Sequence, residues 1–146
     1  MGGIPPKLAE MVDLFDSVTD RAERVEVLIS LSERFERVPE SIAAKPYPEE
    51  HRVPGCESEA YVWALPSEGG TLKYYFAVEN PQGISAMATA VILDETCSGA
   101  SPDQVAAIPR DIIYRFFGRE LSMGKSMGLM GIIDLVKKFA REAVSR

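Results

Sequence analysis

The sequence predicts an α+β domain, a small antiparallel sheet of about three strands covered by helices. Two runs rich in Val, Tyr, Trp and Phe, "AYVWALP" and "TLKYYFAV", are separated by "SEGG", which is a hairpin signature. Six further segments carry apolar residues at helical spacing or open on helix-start signals. At 146 residues, with 46% hydrophobic and 26% charged residues, the chain can bury one core without disulfides or metal. A single domain over residues 1–146 is therefore expected, with no internal repeat or linker.

The elements follow in order. "PPKLAEMVDLF" sets Leu8, Met11, Val12 and Phe15 on one helical face behind Pro5 and Pro6. "TDRAERVEVLISLSERFERV" repeats the pattern after a capping Thr19 or Asp20, with Ala22, Val25, Leu28, Ile29 and Phe35 expected inward. Three prolines in "PESIAAKPYP" forbid a continued helix, so the chain turns there and runs extended toward Cys56. The residues before Cys56 are expected to add a short third strand to the hairpin. "ISAMATAVILDETC" is apolar for ten residues and rich in small side chains, which favours a buried helix over a strand. "SPDQ" offers Ser101, Pro102 and Gln104 as a capping box for a short helix through Val105. "PRDIIYRFFG" starts another, stopped by Gly118, and "SMGLMGIIDLVKKFAREAV" gives a long amphipathic helix facing inward through Leu129, Ile132, Ile133, Val136, Phe139, Ala140 and Ala143.

A net charge of −6 with scattered Lys and Arg argues against a nucleic-acid or anionic-membrane surface. No apolar run approaches the roughly 20 residues of a membrane span. The start "MGGIPPKLAE" lacks a charged-then-apolar leader layout, and Gly2 is not followed by the Ser or Thr of a myristoylation pattern. A cytoplasmic protein is expected, and in that compartment its two cysteines, Cys56 and Cys97, are expected as thiols.

The chemistry open to such a chain is limited. Cys56, Cys97 and the single His51 are too few for a soft metal site, so no metal is expected. His51 lies in the same proline-bounded turn as Cys56 and reads as a solvated loop histidine, not as the base of a Cys-His pair. "GKS" at Gly124 to Ser126 lacks the earlier glycine and the preceding strand of a phosphate loop. Cys97 ends an apolar run and reads as core filler. Cys56 follows Pro54 and Gly55 in "RVPGCESEAY", where Pro54 fixes its own φ and Gly55 can take φ > 0, giving a stiff turn. From these residues alone a structural and a reactive Cys56 are equally good readings.

The stretch "RVPGCESEAY" resembles the glycine-cysteine loop of the SufE family of iron-sulfur cluster biogenesis through Gly55, Cys56, Ser58, Ala60 and Tyr61. "CSGASPDQV" and "LSMGKSMGL" are similar to two further family segments in the same order, so the resemblance covers roughly residues 20 to 140. The chain departs from the family pattern at Lys125, often arginine there, at Glu57 in place of Gln, and at Tyr61 in place of Trp.

The resemblance implies a fold like SufE and IscU and a sulfur carrier rather than a stand-alone enzyme. Cys56 would accept sulfur from a PLP-dependent cysteine desulfurase as a transient persulfide, stimulate that enzyme, and pass the sulfur to an iron-sulfur scaffold. The chain itself would need no cofactor, since the PLP belongs to the partner. Arg52, Pro54, Gly55 and Ser58 would form the loop around the cysteine, and Arg52 and Lys125 would contact the desulfurase. The loop is expected to tuck Cys56 against Val53, Ala60 and Tyr61 and to hinge at Gly55. Two other readings stay in play: a regulatory module that docks on the desulfurase with a structural Cys56, and a cluster scaffold, which the shortage of ligands opposes.

Overall fold

A computed structural model describes residues 3–145, so the readings on Met1 and Gly2 lie outside it. The sheet is one antiparallel hairpin of β1 (Ala60–Pro66) and β2 (Leu72–Val78), in register with Trp63 opposite Tyr75. Gly69 and Gly70 take φ of 68° and 77° in the connection, as the "SEGG" signature requires. The expected third strand shrinks to a single bridge between Arg52 and Tyr61. Pro54 cannot donate to a ladder, and the Gly55 turn leads the chain away, so pairing stops after one residue.

Among the described residues six helices surround the hairpin: α1 (Pro6–Ser17), α2 (Arg21–Ser32), α3 (Ile84–Cys97), α4 (Pro102–Ala106), α5 (Ile113–Phe117) and α6 (Met123–Val144). The main core joins Leu8, Val12 and Phe15 of α1 to Val62 and Tyr74 of the hairpin and to the inner faces of α3 and α6. Phe15 meets Phe116 edge-on at 5.0 Å between centroids. α3 is buried on most of its circumference, as its uniform apolarity predicts. α6 lies against β1, α3 and α4 and buries the expected Leu129, Ile132, Ile133, Val136 and Ala140.

Several expectations are corrected. Val25 and Ile29 of α2 are exposed, at 47% and 42%, and Ala22 with them. The helix packs through Leu28 and Leu31, and the Val25–Ile29 shoulder is rotated out of that contact. Asp20 does cap α2, its carboxylate accepting from the Ala22 N–H at 3.3 Å. Ser101 makes no side-chain cap, so α4 opens on backbone bonds alone, the Gln104 and Val105 N–H groups donating to the Ser101 carbonyl. α6 begins at Met123, one turn before the expected Ser126, because Ser122 Oγ accepts from the Lys125 N–H at 3.2 Å. Ser122→Ala should cost about 1 kcal/mol of stability and fray that first turn, measured as a lowered urea midpoint.

The proline-rich segment has a structural task that its sequence did not disclose. It lies over the outer face of the hairpin, where Val38, Tyr61, Trp63 and Ala77 form a second buried cluster with Tyr47. Tyr47 stands 5.0 Å from both Tyr61 and Trp63, and the Val38 N–H donates to the Phe76 carbonyl at 2.9 Å. Both faces of the sheet are therefore covered. Among the described residues no helix is long and apolar enough to cross a membrane.

Candidate functional site

Cys56 sits in a turn whose two limbs are tied down. The Val53 N–H donates to the Ala60 carbonyl at 2.8 Å, closing the base of the turn. On the outgoing limb the Asn80 N–H donates to the Ser58 carbonyl at 3.1 Å and the Glu79 N–H to that of Glu59 at 3.2 Å. Pro54 to Glu57 span the gap between these anchors. Gly55 takes φ +71°, a left-handed conformation that the Cβ of an L residue disfavours. Val53 itself is fully buried and pins the incoming limb to the core.

The thiol is turned inward. Cys56 is only 8% exposed and lines a cavity of about 210 Å³ between the loop, the start of α3 and the start of α6. Ile84, Ala86 and Leu129 supply apolar wall, while Glu57, Ser58, Gln82, Ser85 and Lys125 supply polar wall. Residues 80–83 set the start of α3 as a tight turn, with Asn80 Oδ1 accepting from the Gln82 N–H at 2.9 Å and the Gly83 N–H donating to the Asn80 carbonyl. Gly83 offers no side-chain cap, so the first-turn amides of α3 bring the positive end of its dipole to the cavity wall. Lys125 and the Glu57 carboxylate also line the cavity, so charge of both signs stands beside the thiol.

The structure separates residues that the sequence had grouped. Lys125 and Ser58 line the cavity with Cys56. Arg52, Pro54 and Gly55 instead line a larger groove of about 770 Å³ on the other side of the loop, where Arg52 Nη1 lies 3.7 Å from Glu49 Oε1. Such an exposed pair is worth about 0–1 kcal/mol, so Arg52 is easily released to another partner. Tyr61 is not part of the thiol's surroundings. It belongs to the outer cluster, because alternation along β1 sends Ala60 and Val62 to the main core and Tyr61 and Trp63 to the opposite face.

His51 is also corrected. Its Nδ1 donates to the Val62 carbonyl at 2.8 Å and its ring stacks on Trp63 at 5.2 Å, so it is a half-buried brace for the loop's entry and not a solvated side chain. Cys97 is fully buried at the end of α3, and desolvation pushes its thiol up to about 12. Among the described residues no three His, Cys, Asp or Glu side chains gather into a metal-holding group.

Sequence reasoning missed Gln82, Gly83, Ser85 and Gly128. The "NPQG" turn was the available signal for the first two. Gly128 stood inside a helix pattern, where an isolated glycine implies a packing reason. A Cβ at Gly128 would lie 3.3 Å from Cys56 Cα and 3.5 Å from its Sγ.

A small α+β domain with one cavity-lining thiol on an anchored turn, and its other thiol sealed in the core, is the class that fold and site define. The family model described as "SufE: Fe-S metabolism associated domain" matches residues 9–140. The chain belongs to the SufE family, and its role lies in iron-sulfur metabolism. Among solved structures it is similar to the solution structure of a hypothetical protein from Thermus thermophilus, with 28% identity, a TM-score of 0.74, and 98% of this chain and 99% of that chain covered. No curated protein matches the chain.

Proposed function

We propose that this protein takes a sulfane sulfur from a PLP-dependent cysteine desulfurase onto Cys56 and passes it to an iron-sulfur scaffold in the cytoplasm, stimulating the desulfurase by removing its product. The supporting observation is the Cys56 thiol, mounted on a turn over a cavity with room beside the sulfur. In the transfer, the Cys56 thiolate attacks the terminal sulfur of the desulfurase persulfide. A new S–S bond forms at Sγ as the old one breaks, and its electron pair leaves on the desulfurase cysteine, which takes up the proton that Cys56 gave away. The exchange is redox-neutral and needs one acceptor thiol. PLP acts on the desulfurase side, in releasing sulfur from cysteine.

The added sulfur lies about 2.05 Å beyond Sγ. The cavity of about 210 Å³ has space for a few groups of water size, each about 30 Å³. A persulfide anion there would face Lys125 and the start of α3, with the Glu57 carboxylate on the same wall. Mass spectrometry after incubation with a desulfurase and free cysteine should show about 32 Da, one sulfur atom, added per chain on the peptide holding Cys56. Absence of that mass, with desulfurase stimulation intact, would favour the docking-module alternative, for which the near-complete burial of Cys56 is the supporting observation.

Charge at the cavity mouth should matter for the encounter. Lys125 is exposed, so Lys125→Glu should lower desulfurase stimulation about fivefold at low salt, with the loss shrinking as salt shortens the screening length from about 10 Å at 0.1 M. Arg52→Glu, on the other side of the loop, should act in the same direction. Steady-state kinetics at two ionic strengths measures both, and unchanged rates would leave the two cations without a role.

A further inference from the structure

Three glycines press on the cysteine loop from outside it. A Cβ at Gly131 would come within 2.8 Å of Val53 Cγ1 and 3.3 Å of the Pro54 carbonyl oxygen. One at Gly128 would lie 3.3 Å from Cys56 Cα and 3.5 Å from Sγ, and one at Gly83 would lie 2.8 Å from Ser58 Oγ. Gly128 and Gly131 are three apart on α6 and so share a face, while Gly83 caps α3. The loop is thus seated on backbone at Val53, Cys56 and Ser58, at distances that any Cβ would crowd. A glycine inside a helix lowers its stability relative to alanine, so these two positions in α6 sacrifice helix propensity for the contact.

We infer that Gly128 is a positioning residue for Cys56: its missing Cβ sets how deeply the thiol is seated, and with Gly131 it sets the balance between a sheltered and a presented cysteine. The inference rests on reading Cys56 as the sulfur acceptor. The seated loop covers the thiol to 8% exposure, and the stretch from Pro54 to Glu57, held between the two anchors by the Glu59 N–H donating to the Cys56 carbonyl at 3.1 Å, is the part that can lift. A methyl at 128 is tighter than ordinary contact with the Cys56 backbone, and its three nearest neighbours all belong to Cys56, so the cost falls on the seated loop and not on the lifted one. The helix-propensity gain of alanine is present with the loop seated or lifted and cancels from that balance. Gly131→Ala acts through Val53, whose fully buried side chain is the loop's anchor.

The test is the rate at which iodoacetamide alkylates Cys56 in the full-length protein alone, at a fixed pH and with the fold checked by circular dichroism. A thiol that reacts only from the lifted loop alkylates in proportion to the lifted population. Gly128→Ala should raise the rate about tenfold, because overpacking penalises the seated state and not the lifted one, while the gain in helix propensity offsets part of the same penalty in the urea midpoint. Gly131→Ala should raise it as well, and adding Val53→Ala, which removes the Cγ1 atom it strikes, should bring the rate back toward that of Val53→Ala alone. Folded Gly128→Ala and Gly131→Ala proteins that both alkylate at the parent rate would overturn the inference. The readout contains no desulfurase, so a failure of Cys56 to accept sulfur would be seen separately, as the missing persulfide mass.

Discussion

Cys56→Ser should abolish persulfide formation and reduce sulfur transfer by about three orders of magnitude or more, because a serine hydroxyl is not a nucleophile at neutral pH without a base to activate it. The fold should survive. Cys56 sits at the cavity edge, the hydroxyl is close to the thiol in size, and Ser58, Gln82 and Ser85 provide polar neighbours. Loss of activity with an unchanged urea midpoint would therefore report chemistry and not unfolding. The matched control is Cys97→Ala. Serine at 97 would bury a hydroxyl in the core, at about 1–3 kcal/mol if unsatisfied, whereas alanine removes only the sulfur. Cys97→Ala should keep its transfer activity. If it proved as inactive as Cys56→Ser while still folded, a relay through both thiols would replace the single-acceptor mechanism.

Local signals in the chain carried the elements, and long-range packing carried the site. The hairpin was legible because "SEGG" supplies the positive-φ residues between two aromatic and β-branched runs. α3 and α6 were legible because their apolar patterns are long. The turn at Cys56 was legible because Pro54 and Gly55 allow few backbone paths. What surrounds the thiol was not, since its wall comes from Gln82 to Ala86 and from Lys125 to Leu129, segments brought together only by helix packing on the hairpin. The same limit explains the errors. Nothing local shows that α2 seats on Leu28 and Leu31 and leaves Val25 and Ile29 in water, or that Tyr47 and Val38 fold back over Trp63. Tyr61 was assigned to the wrong side of the sheet because its nearness to Cys56 in sequence outweighed the strand alternation.

Cys97 should alkylate far more slowly than Cys56 at pH 8, and the difference should vanish in denaturant. Only the thiolate reacts, and burial has moved the Cys97 thiol from its ordinary 9.0 to about 12, so its ionised fraction at that pH falls by about three decades even before access is considered. Desolvation is the largest cause, the Thr96 hydroxyl, 3.6 Å from Sγ, acts the other way, and nearby Asp94 raises it by less. The same shift makes stability depend on pH. In the unfolded chain Cys97 ionises from about pH 9, and in the folded chain it stays protonated until about 12, so the folded state binds more protons in that window. Its contribution is complete below pH 9 and is lost as pH rises toward 12. Tyr74, also raised, first by burial and then by Cys97, adds in the same direction, and its buried hydroxyl has no hydrogen-bond partner among the described residues to relieve the desolvation. Urea midpoints should therefore fall steadily above pH 9, and Cys97→Ala should fall less steeply. Native labelling of one thiol per chain and denatured labelling of two is the outcome this predicts. Equal rates for the two cysteines in the native protein, or a midpoint flat from pH 9 to 11, would show that Cys97 is not sealed in the core.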